Sequence, residues 1–244
     1  MLRARHLVLI ALVTACWAGP ARSVEPKEKK ELVQPWWAVA RAGGYTFQSM
    51  YGSSVGYLMP VDGPPGGISL GVQEDLLVGV GAGRWFYRWL SVELALSRFD
   101  VELGGDDLLE ETGEGVPVEI GTCAMHTAQL TLLFGGESSP EKRLSGFVGL
   151  DLLHESPGSF DLAEAGQERL GVIEVETRSA VVWGLSVRAD ARLGRGPWAI
   201  TMNSTMTLGG SEPFVVHTDP EAGYESSAVS FRPLTITVGF LRRF

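Results

Sequence analysis

The sequence is poor in cysteine, with Cys16 and Cys123 alone in 244 residues. That excludes a disulfide scaffold and any four-thiolate zinc or iron–sulfur centre. Basic residues are also in deficit: 20 Lys and Arg stand against 29 Asp and Glu, a formal charge of −9. A nucleic-acid partner needs a basic patch to neutralise phosphates, so none is expected. Beyond the first two dozen residues there is no apolar run of the roughly 18 residues a transmembrane helix requires. Helical 3.6-residue periodicity of useful length is missing as well. Catalytic signatures are scarce: no Walker loop, HExxH, CxxC or nucleophile elbow occurs, so no enzyme, cofactor or metal site is expected. His217-Thr218-Asp219 is a short run with acid–base character.

What is present begins with a targeting segment. Arg3 and Arg5 precede an apolar stretch over 7–15, and small residues follow up to Ala21-Arg22-Ser23. This is the order of a secretory signal, giving a signal peptide over 1–23 and a mature start at Val24. Val13-Thr14-Ala15-Cys16 offers the alternative of a lipobox with Cys16 lipidated. Loss of 1–23 removes three basic and no acidic residues, taking the charge from −9 to −12. Residues 24–35, with Lys27, Glu28, Lys29, Lys30 and Glu31, read as a solvated periplasmic lead-in.

From Trp36 onward the pattern is one of strands. Candidates are 36–47, 76–85, 89–103, 121–134, 144–154, 175–193, 198–208 and 229–244, each bounded by Gly, Pro, Ser or Asp clusters. In 198–208, Trp198, Ile200, Met202, Met206 and Leu208 alternate with Ala199, Thr201, Asn203, Thr205 and Thr207. Period two puts each set on its own face of a strand, whereas a helix would scatter them. Connections alternate in length: 48–75, 104–120, 155–174 and 209–228 are long, and the three between them are short. Four long loops at one rim and three short turns at the other describe an all-β, eight-stranded antiparallel up-and-down transmembrane barrel over 36–244.

Two distributions agree with that layout. Trp36, Trp37, Trp85, Trp89 and Trp198 fall at strand ends on the short-turn side, with Phe86, Tyr87, Phe134, Phe240 and Phe244. Such rings collect where membrane meets water. The four long segments hold 18 of the 29 acidic residues and, among Lys and Arg, only Arg169. That acidic rim is either a solvated surface or a weak divalent-cation surface bridging to lipopolysaccharide.

At this point the sequence resembles the OmpW family of small outer-membrane barrels. The likeness lies in WWAVARAGGYTF at the first strand and LLVGVGAGRWFYRWLSVELALSRFDVEL at the second hairpin. It continues in FVGLDLLH at the fifth strand and LTITVGFLRRF at the close. Ile236, Val238, Phe240 and Phe244 are similar to the terminal signal read by the barrel-assembly machinery, with Arg242 departing from the apolar alternation. The resemblance implies a Gram-negative outer-membrane location, with outer-membrane lipid and lipopolysaccharide as surroundings. It also implies a role in passing small hydrophobic molecules.

Charge cannot face lipid cheaply, so Arg41, Glu93, Gln129, Asp151, Arg188 and Asn203 mark the inward face. Sorted by depth, the turn-side half of the lumen holds a polar plug of Arg41, Glu93, Gln129, Arg188, Asp190 and Arg192. The loop-side half holds Tyr45, Phe47, Leu77, Met125, Leu153 and Val182. Phe99 and Val101 join them if a bulge near Arg98 switches their strand. The expectation is an apolar cup open toward the acidic loops, above a plug that leaves no aqueous pore. Asp151, Glu176 and Arg178 are exceptions that ring the cup or spoil it. The competing expectation is a non-transporting interaction barrel acting through its acidic loops.

Overall fold

In the computed structural model, residues 36–47, 56–61, 68–73, 76–87, 89–107, 116–136, 143–194, 196–231 and 233–244 are described. The signal segment and the lead-in over 24–35 lie outside them. Eight strands form the wall: β1 (Trp36–Phe47), β4 (Leu76–Tyr87), β5 (Leu90–Asp107), β6 (Val116–Gly136), β7 (Leu144–Leu162), β9 (Ala180–Arg192), β10 (Trp198–Leu208) and β13 (Pro233–Arg243). The pairing runs β5-β4-β1-β13-β10-β9-β7-β6 and returns to β5, so the ring is closed and antiparallel throughout. Closure removes the edges that an open sheet would leave unpaired in hydrocarbon.

Alternation then sorts every wall strand into two faces. On β9, Val181, Trp183, Leu185 and Val187 are exposed, while Val182, Ser186, Arg188 and Asp190 are buried. On β10, Trp198, Ile200 and Met202 face out and Ala199, Thr201, Asn203, Thr205 and Thr207 face in. The polarity is inverted, apolar outside and polar within, which suits lipid rather than water as the solvent. From Val181 to Leu193 the chain climbs about 30 Å, taking about 3.3 Å per residue and a tilt of about 40°. A bilayer's hydrocarbon core has about that thickness. At the loop end of the wall, outward Arg98, Asp100 and His126 mark the close of the apolar band.

Beyond the wall, the loop-side segments are structured. β2 (Gly56–Leu58) and β3 (Ile68–Gln73) pair with each other and with the upper part of β5. β8 (Val172–Thr177), β11 (Ser211–Thr218) and β12 (Ser227–Phe231) make a separate three-stranded sheet. A short helix, α1 (Glu164–Leu170), ends at Gly171, whose left-handed φ of 63° lets its N–H donate to the Gln167 carbonyl.

Several expectations are corrected here. The candidate strand 175–193 is two strands in two sheets: Glu176 lies opposite Val215 in the loop sheet, while Ala180 begins the wall opposite Glu155. Continuous alternation across 178–179 hid the break. The last candidate, 229–244, is divided in the same way between β12 and β13. Loops 48–75, 155–174 and 209–228 carry strands and a helix. Trp37 and Trp85 are not part of the outer aromatic belt. Neighbours in a strand face opposite ways, so Trp36 goes out and Trp37 goes in, and Trp85 goes in while Phe86 goes out.

Candidate functional site

The lumen has three layers, each set by which inward residues share a height. At the turn end is an aromatic floor. Trp37 (2% exposed) and Trp85 have ring centroids 5.3 Å apart, and Trp85 and Phe147 stand 5.4 Å apart. Inward glycines of β4 make the floor possible: a Cβ on Gly83 would collide with the Trp37 indole.

Above it lies the charged layer. Glu93 accepts from Arg41, from Arg188 Nη1 at 2.6 Å and from Trp37 Nε1 at 3.2 Å. Arg188 also forks onto Asp190, with Nε–Oδ1 of 2.7 Å and Nη2–Oδ2 of 2.9 Å. Arg243 Nη2 lies 4.0 Å from Asp190 Oδ2. Arg188 stacks on both Trp37 and Phe147, at 5.5 and 5.6 Å from the ring centroids. Charges this deep are tolerable only when paired and hydrogen-bonded, as Arg41, Glu93, Arg188 and Asp190 are. Of the expected plug, Arg41, Glu93, Arg188 and Asp190 thus come together. Arg192 lies one alternate step nearer the rim, half-buried. Gln129 belongs to a second polar group: its Nε2 donates to Asp151 Oδ1 at 2.8 Å, as do Thr131 Oγ1 at 2.6 Å and Ser186 Oγ at 3.3 Å.

The third layer is apolar. Leu77, Phe99, Val101, Met125, Leu153 and Val182 are buried and face inward, and Met125 is 0% exposed. Tyr45 and Phe47 have their backbone in β1 opposite Thr235 and Pro233; their side chains lie outside the described ones. Phe99 and Val101 need no bulge, because they share parity with Glu93 on an unbroken stretch of β5. The expected open mouth is also corrected. Leu58, Ile68 and Leu70 from β2 and β3, Ile120 from β6, Leu170 from α1, and Phe214 and Val216 from β11 form one buried cluster with Leu77, Phe99, Val101 and Met125 of this layer. The cup is roofed. These segments alternate apolar residues as strands do, and their apolar faces have no other core to join.

Glu176 and Arg178 do not ring the cup. They stand exposed in the loop region, paired through Nη2–Oε2 at 2.8 Å. Arg178 holds the Glu176 carboxyl below the usual carboxylate range. His217 Nε2 lies 3.6 Å from the same carboxylate. Thr218 Oγ1 donates to the Tyr224 carbonyl, and Asp219 accepts from the Glu221 N–H, so the run His217-Thr218-Asp219 turns to three separate partners. Among the described residues, no three His, Cys, Asp or Glu side chains converge as a metal site would.

Sequence reasoning missed Trp37 and Arg243 as members of the charged layer. Parity was the available signal: Trp37 is four residues from inward Arg41, and Arg243 is two from inward Leu241.

Between the charged and apolar layers is a cavity of about 30 Å³. Arg41, Gln129 and Asn203 line it on one side and Leu77 and Leu153 on the other. It reaches the wall at Gly79, beside outward-facing Val80 and Leu96.

Among solved structures, the fold is similar to that of the outer membrane protein OprG from Pseudomonas aeruginosa. The TM-score is 0.63 and the identity 16%, over 86% of this chain and 97% of that one. It is also similar to the outer membrane protein AlkL in DMPC lipid bilayers, with a TM-score of 0.53 and 13% identity over 91% and 96%. No protein-family model and no curated protein matches the sequence. Both structural neighbours are outer membrane proteins that share this barrel, so the fold expected from the resemblance is the fold found. The chain has the fold of an eight-stranded outer-membrane β-barrel, with the lipid-facing band that this location requires.

Proposed function

We propose that this outer-membrane barrel binds small hydrophobic molecules from the outside and releases them sideways into the membrane. The observation that carries the reading is the apolar column running from the loop sheet to mid-lumen, where it stops on a charged layer. An apolar solute gains by replacing side chains in such a column and loses by entering the ion pairs below it. The cavity at that junction lies against Gly79, which presents no side chain to the lumen, and this favours lateral exit on that side. Because the cup is roofed, entry requires the loop sheet to shift from the barrel mouth.

The test is uptake of an apolar fluorescent probe into liposomes holding the refolded chain, with heat-modifiable gel mobility as the check on folding. Met125→Asp and, separately, Leu77→Trp should each reduce uptake by an order of magnitude. Folded variants that take up the probe normally would mean that these side chains are packing only. The exposed carboxylates of the loop sheet, Glu174 and Glu212 among them, favour one other reading, an interaction barrel whose acidic loops contact lipopolysaccharide through divalent cations. Wild-type liposomes without probe uptake would leave that reading in place.

A further inference from the structure

At the turn end of the wall two arginines face outward, each held between aromatic rings. Arg84 Cζ lies 5.0 Å from the centroid of Trp36 and 5.6 Å from that of Phe86. Arg242 Cζ lies 5.5 Å from Trp198 and 5.0 Å from Phe244. Register explains the pairing. Trp36 is opposite Arg84 on β1 and β4, Trp198 is opposite Arg242 on β10 and β13, and the four strands are consecutive around the ring.

Neither guanidinium has a carboxylate partner among the described residues, and the described outward residues at this end include no Asp or Glu. The nearby acids, Glu93 and Asp190, point inward and are engaged there. Arg84 Nε is buried without a hydrogen-bond partner, so a phosphate would meet this guanidinium at its two Nη groups. Rings that hold a guanidinium by its face leave its N–H edge free, and that edge binds phosphate oxygens in a bidentate fork. The depth is that of the aromatic belt, where lipid headgroups lie. Toward mid-wall, exposed Val80, Ile200, Val238 and Phe240 supply a surface for acyl chains.

We infer that Arg84 and Arg242, with their paired rings, form two sites for the phosphate diester of an anionic phospholipid in the periplasmic leaflet. A free anion would use the guanidinium edge alone, whereas the adjoining apolar surface fits a lipid.

The experiment uses the full mature chain, refolded into phosphatidylcholine vesicles with and without phosphatidylglycerol, released into mild detergent and weighed by native mass spectrometry. The wild type is expected to retain phosphatidylglycerol over phosphatidylcholine. The variant R84Q/R242Q should lose that preference several-fold. W36L/W198L, which keeps both charges, should weaken it as well. Excess inorganic phosphate should not displace the lipid. Equal retention of the two lipids by the wild type overturns the inference, and this comparison needs no variant to fold. Unchanged preference in folded R84Q/R242Q, or displacement by free phosphate, overturns it too.

Discussion

Arg188 and Glu93, 95 residues apart in sequence, meet across the lumen with Nη1 2.6 Å from Oε2. Glu93 sits on β5 and Arg188 on β9, three strands away around the ring, so the ion pair ties non-adjacent walls of the barrel. Glu93→Gln would leave two buried guanidinium groups short of their shared anion. Removing one partner of such a pair costs about 3–5 kcal/mol. Urea unfolding of the refolded barrel should show a loss of that order, and a change below about 1 kcal/mol would show that Asp190 and water compensate.

The charged layer and the aromatic floor together fill the lumen's turn-side half. Planar bilayers containing the wild-type chain are therefore expected to show no large, persistent ion conductance. Steady porin-like steps would mean that the layer opens in a membrane.

Gly83 gives Trp37 its seat. Gly83→Val should displace the indole, break its bond to Glu93 and destabilise the barrel by about 1–3 kcal/mol, as overpacked sites do. Trp fluorescence would report the displacement as a red shift. An unshifted spectrum with unchanged unfolding would show that the floor repacks freely.

Alternation made much of this fold legible. Trp198 to Leu208 sorts cleanly by parity, and the same rule placed Glu93, Arg188 and Asp190 on one lumen face before any contact was visible. Position at a strand end does not by itself separate the two faces, which is why Trp37 and Trp85 look like belt residues in the sequence although they face inward. The roof over the cup was not legible for a different reason. Phe214, Ile120 and Leu70 are far apart in sequence, and their meeting depends on pairings such as Val215 with Glu176 that no local pattern encodes. Residues 175–193 read as one strand because the polar residues keep their phase across Arg178 and Ser179, although the chain changes sheets there.

Cys123 belongs to the roofed cluster, and burial pushes its thiol up from the usual range. The thiolate is the reactive form, so in the mature chain Cys123 should resist Ellman's reagent at neutral pH and react fully once unfolded. Reaction of the folded barrel at the unfolded rate would show that the roof opens readily.

Phe244 is outward and 54% exposed, and its N–H donates to the Trp36 carbonyl at 2.9 Å. With Ile236, Val238 and Phe240 it presents the apolar edge expected for engagement by the assembly machinery. Deleting Phe244 should lower the level of heat-modifiable barrel in outer membranes severalfold. Normal levels would show that the alternating residues suffice without it.

The seam between β1 and β13 joins Trp37 to Arg243 and Phe47 to Pro233, the first wall strand to the last. The ring therefore cannot close until the final residues have been synthesised and delivered. Until then β1 carries an unpaired edge, and the apolar outer faces of seven strands have neither lipid nor a completed wall around them. Before that seam forms, strand edges and apolar outer faces lack their partners, so the chief hazard is aggregation ahead of insertion rather than instability once inserted.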